Sequence, residues 1–420
     1  MSDIIIKLAF LEFFNVPLIV YFFAFFSIYL SLYCKFFHIR NIKNIASFLK
    51  TKDSGNKSNL GVLMACVGTV IGIGNIIGGG MSVKIAGPGV LFWILVACLF
   101  ASALKFFETM TCLEYKKANE TVGNISYFCI RSSFGKFFSK PFSIIYILCF
   151  SIGYFVNGLM QVNQIFSILD FSMTTNYIFA FFISVFIFYI LKNGITHLSS
   201  FMGKVVPIMM ILYVIICLFS IAKSENGFLG TARIIIDNAF STSSIGIGFM
   251  IGYAIRRLCF AADIGTGLSG TISADIKQDP KKQGVVSVFE IIFVGISVFM
   301  TGFTVVASGI DVSDLHGVEI MNNAIYQSDI VKIIFALIIF LFGITTACSC
   351  GFLAQQGFRV FGKKFIVQII LILYPILTFF AFKIGFSPIL NIIDSCLILA
   401  AVINIVAIFN YRKFFKTQTI

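Results

Sequence analysis

Two glycine-rich stretches, GTVIGIGNIIGGG at residues 68–80 and FAADIGTGLSG at residues 260–270, interrupt long apolar segments of this chain. A glycine inside a helix costs up to about 1 kcal/mol relative to alanine, so repeated glycines favour unwound backbone or close helix packing. Unwound backbone at membrane depth is tolerated only where protein buries it or a wet cavity adjoins it. We therefore predict helix breaks at 72–80 and at 262–270.

The composition requires lipid as the solvent for much of the surface. Hydrophobic residues make up 59% of the 420-residue chain and charged residues 12%, about half the charged share of a soluble domain. A spanning helix needs about 20 apolar residues, which predicts an all-α integral membrane protein with about eleven transmembrane helices. The predicted spans are 15–36, 59–82, 88–112, 140–168, 175–192, 199–222, 243–273, 284–308, 331–354, 365–384 and 387–409.

The two predicted breaks lie five spans apart, and each opens a set of five helices. Matching interrupted segments in two halves are typical of a transporter with a binding site at the membrane midplane. We predict three units, with an extra N-terminal helix and cytoplasmic loop at 1–58. A first five-helix repeat follows at 59–222, and a second, inverted repeat with a cytoplasmic tail at 223–420.

The net charge of +13 comes from lysine and arginine in alternate loops and in the C-terminal tail. Such a bias places those loops in the cytoplasm. It predicts a multi-pass protein of the cell (inner) membrane, with the N-terminus outside and the C-terminus cytoplasmic. It argues against a nucleic-acid partner, which would need the basic residues on one folded face. The acidic loop 309–330 suits the outer side, and we expect a short helix at 313–326.

Two of the carboxylates inside predicted spans are candidates for a functional role. Asp263 and Glu290 would each cost about 2.5–3.5 kcal/mol at mid-membrane, so we expect them to serve ion coupling or gating. Arg256 and Arg257 are candidate partners of Asp263. Lys105 and Glu108, three residues apart, are expected to form a structural pair. No cluster of histidine, cysteine or acidic residues indicates catalysis or a bound cofactor, so we expect no enzyme.

Several motifs resemble the alanine or glycine:cation symporter family, the bacterial sodium:alanine symporters, and the chain is identified as a divergent member. The stretch 72–76 (GIGNI) is similar to the family's Gly-Thr-Gly-Asn-Ile, and 161–163 (QVN) to its Gln-x-Asn. The matching motifs in chain order also include 87–89 (GPG), 92–93 (FW), Lys105, Glu108, Arg257, Asp263, Gly265, Gly267 and 345–346 (TT).

The resemblance implies a leucine-transporter-type five-plus-five inverted repeat with one extra N-terminal helix. It also implies import of a small neutral amino acid, alanine or glycine, with Na⁺ by alternating access. The residues expected to meet the substrate are Ile73, Gly74, Asn75, Gln161, Asn163, Asp263 and Gly265. The hydroxyls of Thr345 and Thr346 and the backbone of Gly72 are expected to bind Na⁺.

The chain departs from the family pattern at four positions. Ile73 stands where the family has threonine and Ala262 where it has asparagine. Val294 replaces an expected carboxylate, with Glu290 one turn earlier, and Cys350 replaces a tryptophan. These departures leave open a same-fold transporter for another small substrate, H⁺ coupling, or a non-transporting sensor. The sequence gives no oligomeric state.

Overall fold

The computed structural model describes residues 12–13, 16–44, 59–119, 121–169, 172–241, 246–274, 279–384 and 386–411. Within these ranges the regular secondary structure is helical apart from β1 (Glu12–Phe13) and β2 (Val16–Pro17), which pair antiparallel. The all-α prediction is confirmed.

The helices follow the predicted apolar segments closely. In chain order they are α1 (Leu18–Tyr33), α2 (Phe37–Arg40), α3 (Asn59–Val70), α4 (Ile73–Ala86), α5 (Val90–Ala118), α6 (Ile125–Ser133), α7 (Lys136–Leu169), α8 (Met173–Lys223), α9 (Gly227–Ala239), α10 (Ile247–Ala261), α11 (Leu268–Ser273), α12 (Pro280–Ser308), α13 (Glu319–Ala324), α14 (Asp329–Arg359), α15 (Lys364–Phe379) and α16 (Phe386–Tyr411). Short 3-10 helices cover Ile42–Asn44 and Ala381–Lys383.

By length and composition, six of the described helices can cross a membrane: α5, α7, α8, α12, α14 and α16. The bent pair of α3 and α4 adds a seventh, and α1 and α15 are shorter apolar helices. The exact number of spans, the division at residues 58 and 222 and the inverted repeat stay predictions.

Helix α8 folds back on itself at Gly194, whose φ of 70° and ψ of −157° are not helical. The rings of Phe186 and Phe201 lie 5.1 Å apart, whereas fifteen residues of straight helix would separate them by about 22 Å. The predicted spans 175–192 and 199–222 are therefore separate arms of α8, joined by a turn shorter than predicted.

The first break is narrower than predicted. The backbone leaves the helix only at Ile71 and Gly72, and α3 and α4 meet there at 52°. The expected unwinding through Gly78, Gly79 and Gly80 is wrong, because all three lie within α4. They allow close packing instead, since a Cβ on each would collide with Arg257, with Val298 and Thr301, and with Ile320, respectively.

The second break lies between the end of α10 at Ala261 and the start of α11 at Leu268. Asp263, Gly265 and Gly267 there have φ values of 45°, 80° and 89°. A positive φ is uncommon for a residue with a side chain, so Asp263 is held in a conformation that its surroundings must stabilise. Gly270, predicted to be unwound, lies within α11.

Three loop helices differ from prediction. The helix expected at 313–326 is shorter and forms α13. The sequence did not predict α6 or α9, because both are too short and too polar to be recognised as spans. The long helices α7, α12 and α14 surround both breaks and position them, with α14 packed along α7 and α12 along α5.

Candidate substrate and ion site

A cavity of about 160 Å³ lies between the two breaks, and helices α1, α7, α14 and α16 complete its wall. Its polar lining includes Asn75, Asn157, Gln161, Arg256, Arg257, Asp263, Thr266, Thr346 and Asp394. Residues that lie far apart in the sequence therefore meet around the cavity, at the two breaks.

Gln161 of α7 holds the first break. Its side-chain carbonyl accepts a hydrogen bond from the Ile73 N–H at 3.2 Å, and its amide donates to Asn157 at 3.3 Å. A Cβ at Gly72 would lie 2.8 Å from that carbonyl and 3.0 Å from the Thr346 hydroxyl. Glycine is therefore required at position 72 by close approach.

The side chain of Ile73 does not line the cavity. It is fully buried and lies beside Gly343 of α14. The expected substrate contact at this position is thus limited to the backbone, and the hydroxyl lost relative to the family's threonine would not have faced the cavity.

Asn75 and Gly74 lie in the first turn of α4, at the cavity wall. The Asn75 side chain donates to the Val70 carbonyl at 2.8 Å and so caps the end of α3. Arg257 donates to the Gly74 carbonyl. A Cβ at Gly74 would meet nothing within 4 Å, so this position faces open space.

Besides Ile73, two predicted substrate residues, Asn163 and Gly265, lie outside the cavity lining. Asn163 donates at 3.0 Å to the carbonyls of Ala381 and Ile384, beyond the end of α15. A helix turns about 100° per residue, so Asn163 and Gln161 project in nearly opposite directions. Gly265 donates its N–H to Glu108 at 2.9 Å. In this conformation both residues support the structure around the cavity.

The two predicted sodium ligands on α14 make different contacts. The Thr346 hydroxyl lies 3.0 Å from the Gly68 carbonyl and 3.3 Å from the Ile71 carbonyl. The Thr345 hydroxyl donates to Leu341 and Phe342 of its own helix. Three oxygens therefore converge at Thr346, and its one hydroxyl proton cannot fully satisfy both carbonyls.

At the second break, Asp263 lines the cavity and is bonded within a small polar network. Its carboxylate accepts from the Tyr154 hydroxyl at 3.2 Å, and its backbone carbonyl accepts from Thr266 at 2.9 Å. Arg257, expected as a partner of Asp263, instead donates to the Gly74 carbonyl and interacts electrostatically with Asp394. Asp263 is thus held beside the cavity by two hydroxyl groups and by the Lys105 ammonium, which donates to its backbone carbonyl at 3.5 Å.

A buried charge cluster lies behind the second break. Lys105 is 3.5 Å from Glu290, 3.9 Å from Glu108 and 3.0 Å from the Ser269 hydroxyl. The three ionisable side chains are at most 1% exposed. Glu108 accepts the N–H groups of Gly265 and Ser269. The expected pair of Lys105 and Glu108 is thus part of a larger cluster that fixes the unwound backbone.

Sequence reasoning missed Asn157 and Asp394 of the lining. It also missed Tyr154, which donates to the Asp263 carboxylate. Asp394 could have been identified from the sequence, because a carboxylate within an apolar span is a functional candidate. Tyr154 and Asn157 carried no such signal, since isolated polar residues are common in helices that pack on other helices. Glu290, predicted to serve coupling, contacts Lys105 and Ser269 and lies outside the cavity lining.

Comparison with known proteins agrees with this architecture. The match to the model of the sodium:alanine symporter family extends over residues 4–419. Among solved structures, the manganese transporter of Eremococcus coleocola superposes with a TM-score of 0.54, covering 83% of this chain and 76% of that chain. The identity is 12%, so this likeness concerns the fold.

Curated relatives are distant. An uncharacterized transporter of Haemophilus influenzae is 28% identical over 72% of this chain and 69% of its own length. The sodium/alanine symporter AgcS of Methanococcus maripaludis is 28% identical over 57% of this chain and 56% of that protein. The probable sodium/glutamine symporter GlnT of Bacillus subtilis is 24% identical over 64% and 58%, respectively. With a family match over nearly its whole length, the chain belongs to the sodium:alanine symporter family.

Proposed function

We propose that this protein is a secondary active symporter that imports a small neutral amino acid, alanine or glycine, together with Na⁺ by alternating access. The observation that carries the proposal is the cavity, because both helix breaks border it. Its lining contains positively charged, negatively charged and neutral polar side chains. The family's cation-coupled amino-acid transport agrees with it.

The size of the cavity suits a small substrate. A cavity of about 150 Å³ holds benzene, which has as many non-hydrogen atoms as alanine. The cavity here measures about 160 Å³. Alanine and glycine therefore fit, whereas glutamine, which a relative's name mentions, would require the cavity to expand.

The charges of the lining suit a zwitterion. The positive end of the α4 dipole favours a carboxylate, and Arg257 lies beside it through its bond to Gly74. Asp263, at the other break, is placed to accept the ammonium group. A zwitterion held between these two poles would neutralise both in a partly dry cavity, where such contacts are strongest.

We place the coupling Na⁺ among the oxygens of Gly68, Ile71 and Thr346. A hard cation prefers neutral and anionic oxygen ligands, and three neutral oxygens already converge there. Thr345 would join only after rotating its hydroxyl away from α14. The ion would hold the end of α3 against α14, which links ion binding to the bend between α3 and α4.

In this proposal the protein lies in the cell (inner) membrane with the N-terminus outside and the C-terminus cytoplasmic. Substrate enters from outside and leaves on the basic side of the protein. Coupling to H⁺ in place of Na⁺ is the competing hypothesis, because one distant relative is named as a putative sodium/proton-dependent alanine carrier.

Uptake by purified protein in liposomes tests the proposal. We expect accumulation of labelled alanine and glycine with an inward Na⁺ gradient, and little with K⁺ or with a proton gradient alone. Gln161→Ala should abolish uptake, because it removes both a lining group and the bond to Ile73. Gln164→Ala, on the same helix but outside the lining, is the matched control. Sodium-independent accumulation, or none of either amino acid, would refute the proposal.

A further inference from the structure

Helix α1, which precedes the ten helices of the predicted repeats, has two different faces. One face is exposed, with Leu18, Phe25, Ile28 and Leu32 between 45% and 61% accessible. The opposite face carries Ile19, Val20 and Phe23, which line the cavity. Their spacing of three and four residues puts them on one side of a helix. We call these three residues the α1 wall.

The α1 wall adds only apolar surface to a cavity whose polar groups come from other helices. Val20 and Phe23 are 3% and 5% exposed, so protein already covers most of their surface. Ile393, Leu397 and Ile398 of α16 continue the same apolar side. The charged groups of the lining come from the second break and from Asp394 of α16, whereas α1 contributes apolar side chains only.

We propose that the α1 wall determines which amino-acid side chain is accepted, with Phe23 setting the upper limit of its size. The inference rests on the proposed function and deepens it. A substrate whose carboxylate and ammonium groups lie at the two breaks has one direction left for its side chain, towards the apolar side. Phe23 has the largest side chain of the wall and limits that space.

The same geometry gives the substrate class. An apolar wall with no hydrogen-bonding group rejects polar side chains, because their groups would lose water without replacement. It accepts hydrogen or short alkyl groups until the space is filled. The expected order of preference is therefore alanine with glycine first, 2-aminobutyrate next, and valine and leucine last, with serine below alanine.

Competition measurements in liposomes test the wall. Unlabelled glycine, alanine, serine, 2-aminobutyrate, valine and leucine compete with labelled alanine for uptake by wild type, Phe23→Ala and Phe25→Ala. One methylene in an apolar pocket changes discrimination by about tenfold or more. We expect Phe23→Ala to improve leucine competition relative to alanine by at least that factor. Phe25→Ala, which alters the exposed face of the same helix, should match wild type.

A second variant distinguishes a change of selectivity from a folding defect. Phe23→Trp enlarges the wall, so alanine should lose several-fold against glycine, the opposite direction to Phe23→Ala. The proposal is overturned if both Phe23 variants keep the wild-type order, or if they change all competitors by one common factor. Absence of amino-acid uptake by the wild type would instead refute the proposed function, and the wall with it.

Discussion

Replacing Lys105 by methionine removes the only ammonium group within the buried cluster behind the second break. Lys105 lies 3.5 Å from Glu290 and 3.9 Å from Glu108, and all three side chains are at most 1% exposed. Methionine keeps most of the volume but leaves two carboxylates without a cation. Breaking a buried ion pair by removing one partner typically costs about 3–5 kcal/mol, and we expect Lys105→Met to destabilise the protein by that amount.

Adding Glu290→Gln should restore part of this loss. The amide of glutamine carries no charge, and its oxygen can still accept the Ser269 hydroxyl that now lies 2.6 Å from Glu290. Glu108 keeps two backbone donors, from Gly265 and Ser269. The double variant should therefore recover at least about 1 kcal/mol, since contacting charges couple by roughly 0.5–3 kcal/mol.

The assay is unfolding in mixed detergent and dodecyl sulfate micelles, followed by far-ultraviolet circular dichroism. Arg233→Gln is the control, because Arg233 and Asp237 pair at 3.5 Å with side chains 85% and 67% exposed. Exposed pairs contribute only about 0–1 kcal/mol. If Lys105→Met proves no more destabilising than Arg233→Gln, or Glu290→Gln gives no recovery, the cluster does not depend on its charges.

Three further predictions concern the first break. Thr346→Val should raise the half-saturating Na⁺ concentration for uptake by about tenfold, since one hydrogen-bonding oxygen is worth up to roughly 1.5 kcal/mol. Thr345→Val should raise the same concentration by less than threefold. Equal effects of the two would contradict the different contacts of their hydroxyls. Gly74→Ala should fold normally and weaken alanine uptake more than glycine uptake in competition assays, because its methyl enters open space. Gly72→Ala, whose methyl would meet Gln161 and Thr346, should instead lower the unfolding midpoint. Ile73→Thr should leave alanine affinity, measured by calorimetry, within about twofold of wild type, and a larger gain would place this side chain in the cavity.

Glycine content predicted that both helices break, but not where the first break ends. Gly72 and Gly78 look alike in the sequence. The structure distinguishes them because Gln161 and Thr346 hold the backbone at Gly72, whereas Arg257 needs the space over Gly78. These partners lie far along the chain, and no local propensity contains that information.

The resemblance to the family supplied candidate site residues but not the directions in which their side chains point. Gln161 lines the cavity and Asn163 does not, and helical geometry alone separates the two directions. The spacing of Lys105 and Glu108 predicted their pairing. Their role in fixing the second break could not be predicted, because it depends on the N–H groups of Gly265 and Ser269 in another part of the chain.

The ion site that we propose rests on the hydrogen bonding of the backbone groups at the breaks. Each break frees N–H and C=O groups that lipid cannot satisfy. Many of them have fixed partners, as Ile73 has in Gln161 and Gly265 has in Glu108. The carbonyls of Gly68 and Ile71, by contrast, share one hydroxyl proton near the cavity. A cation coordinated by both carbonyls and by the hydroxyl oxygen of Thr346 would satisfy both carbonyls at once, while the hydroxyl proton turns away from them. These incompletely satisfied carbonyls are therefore well suited to bind an ion.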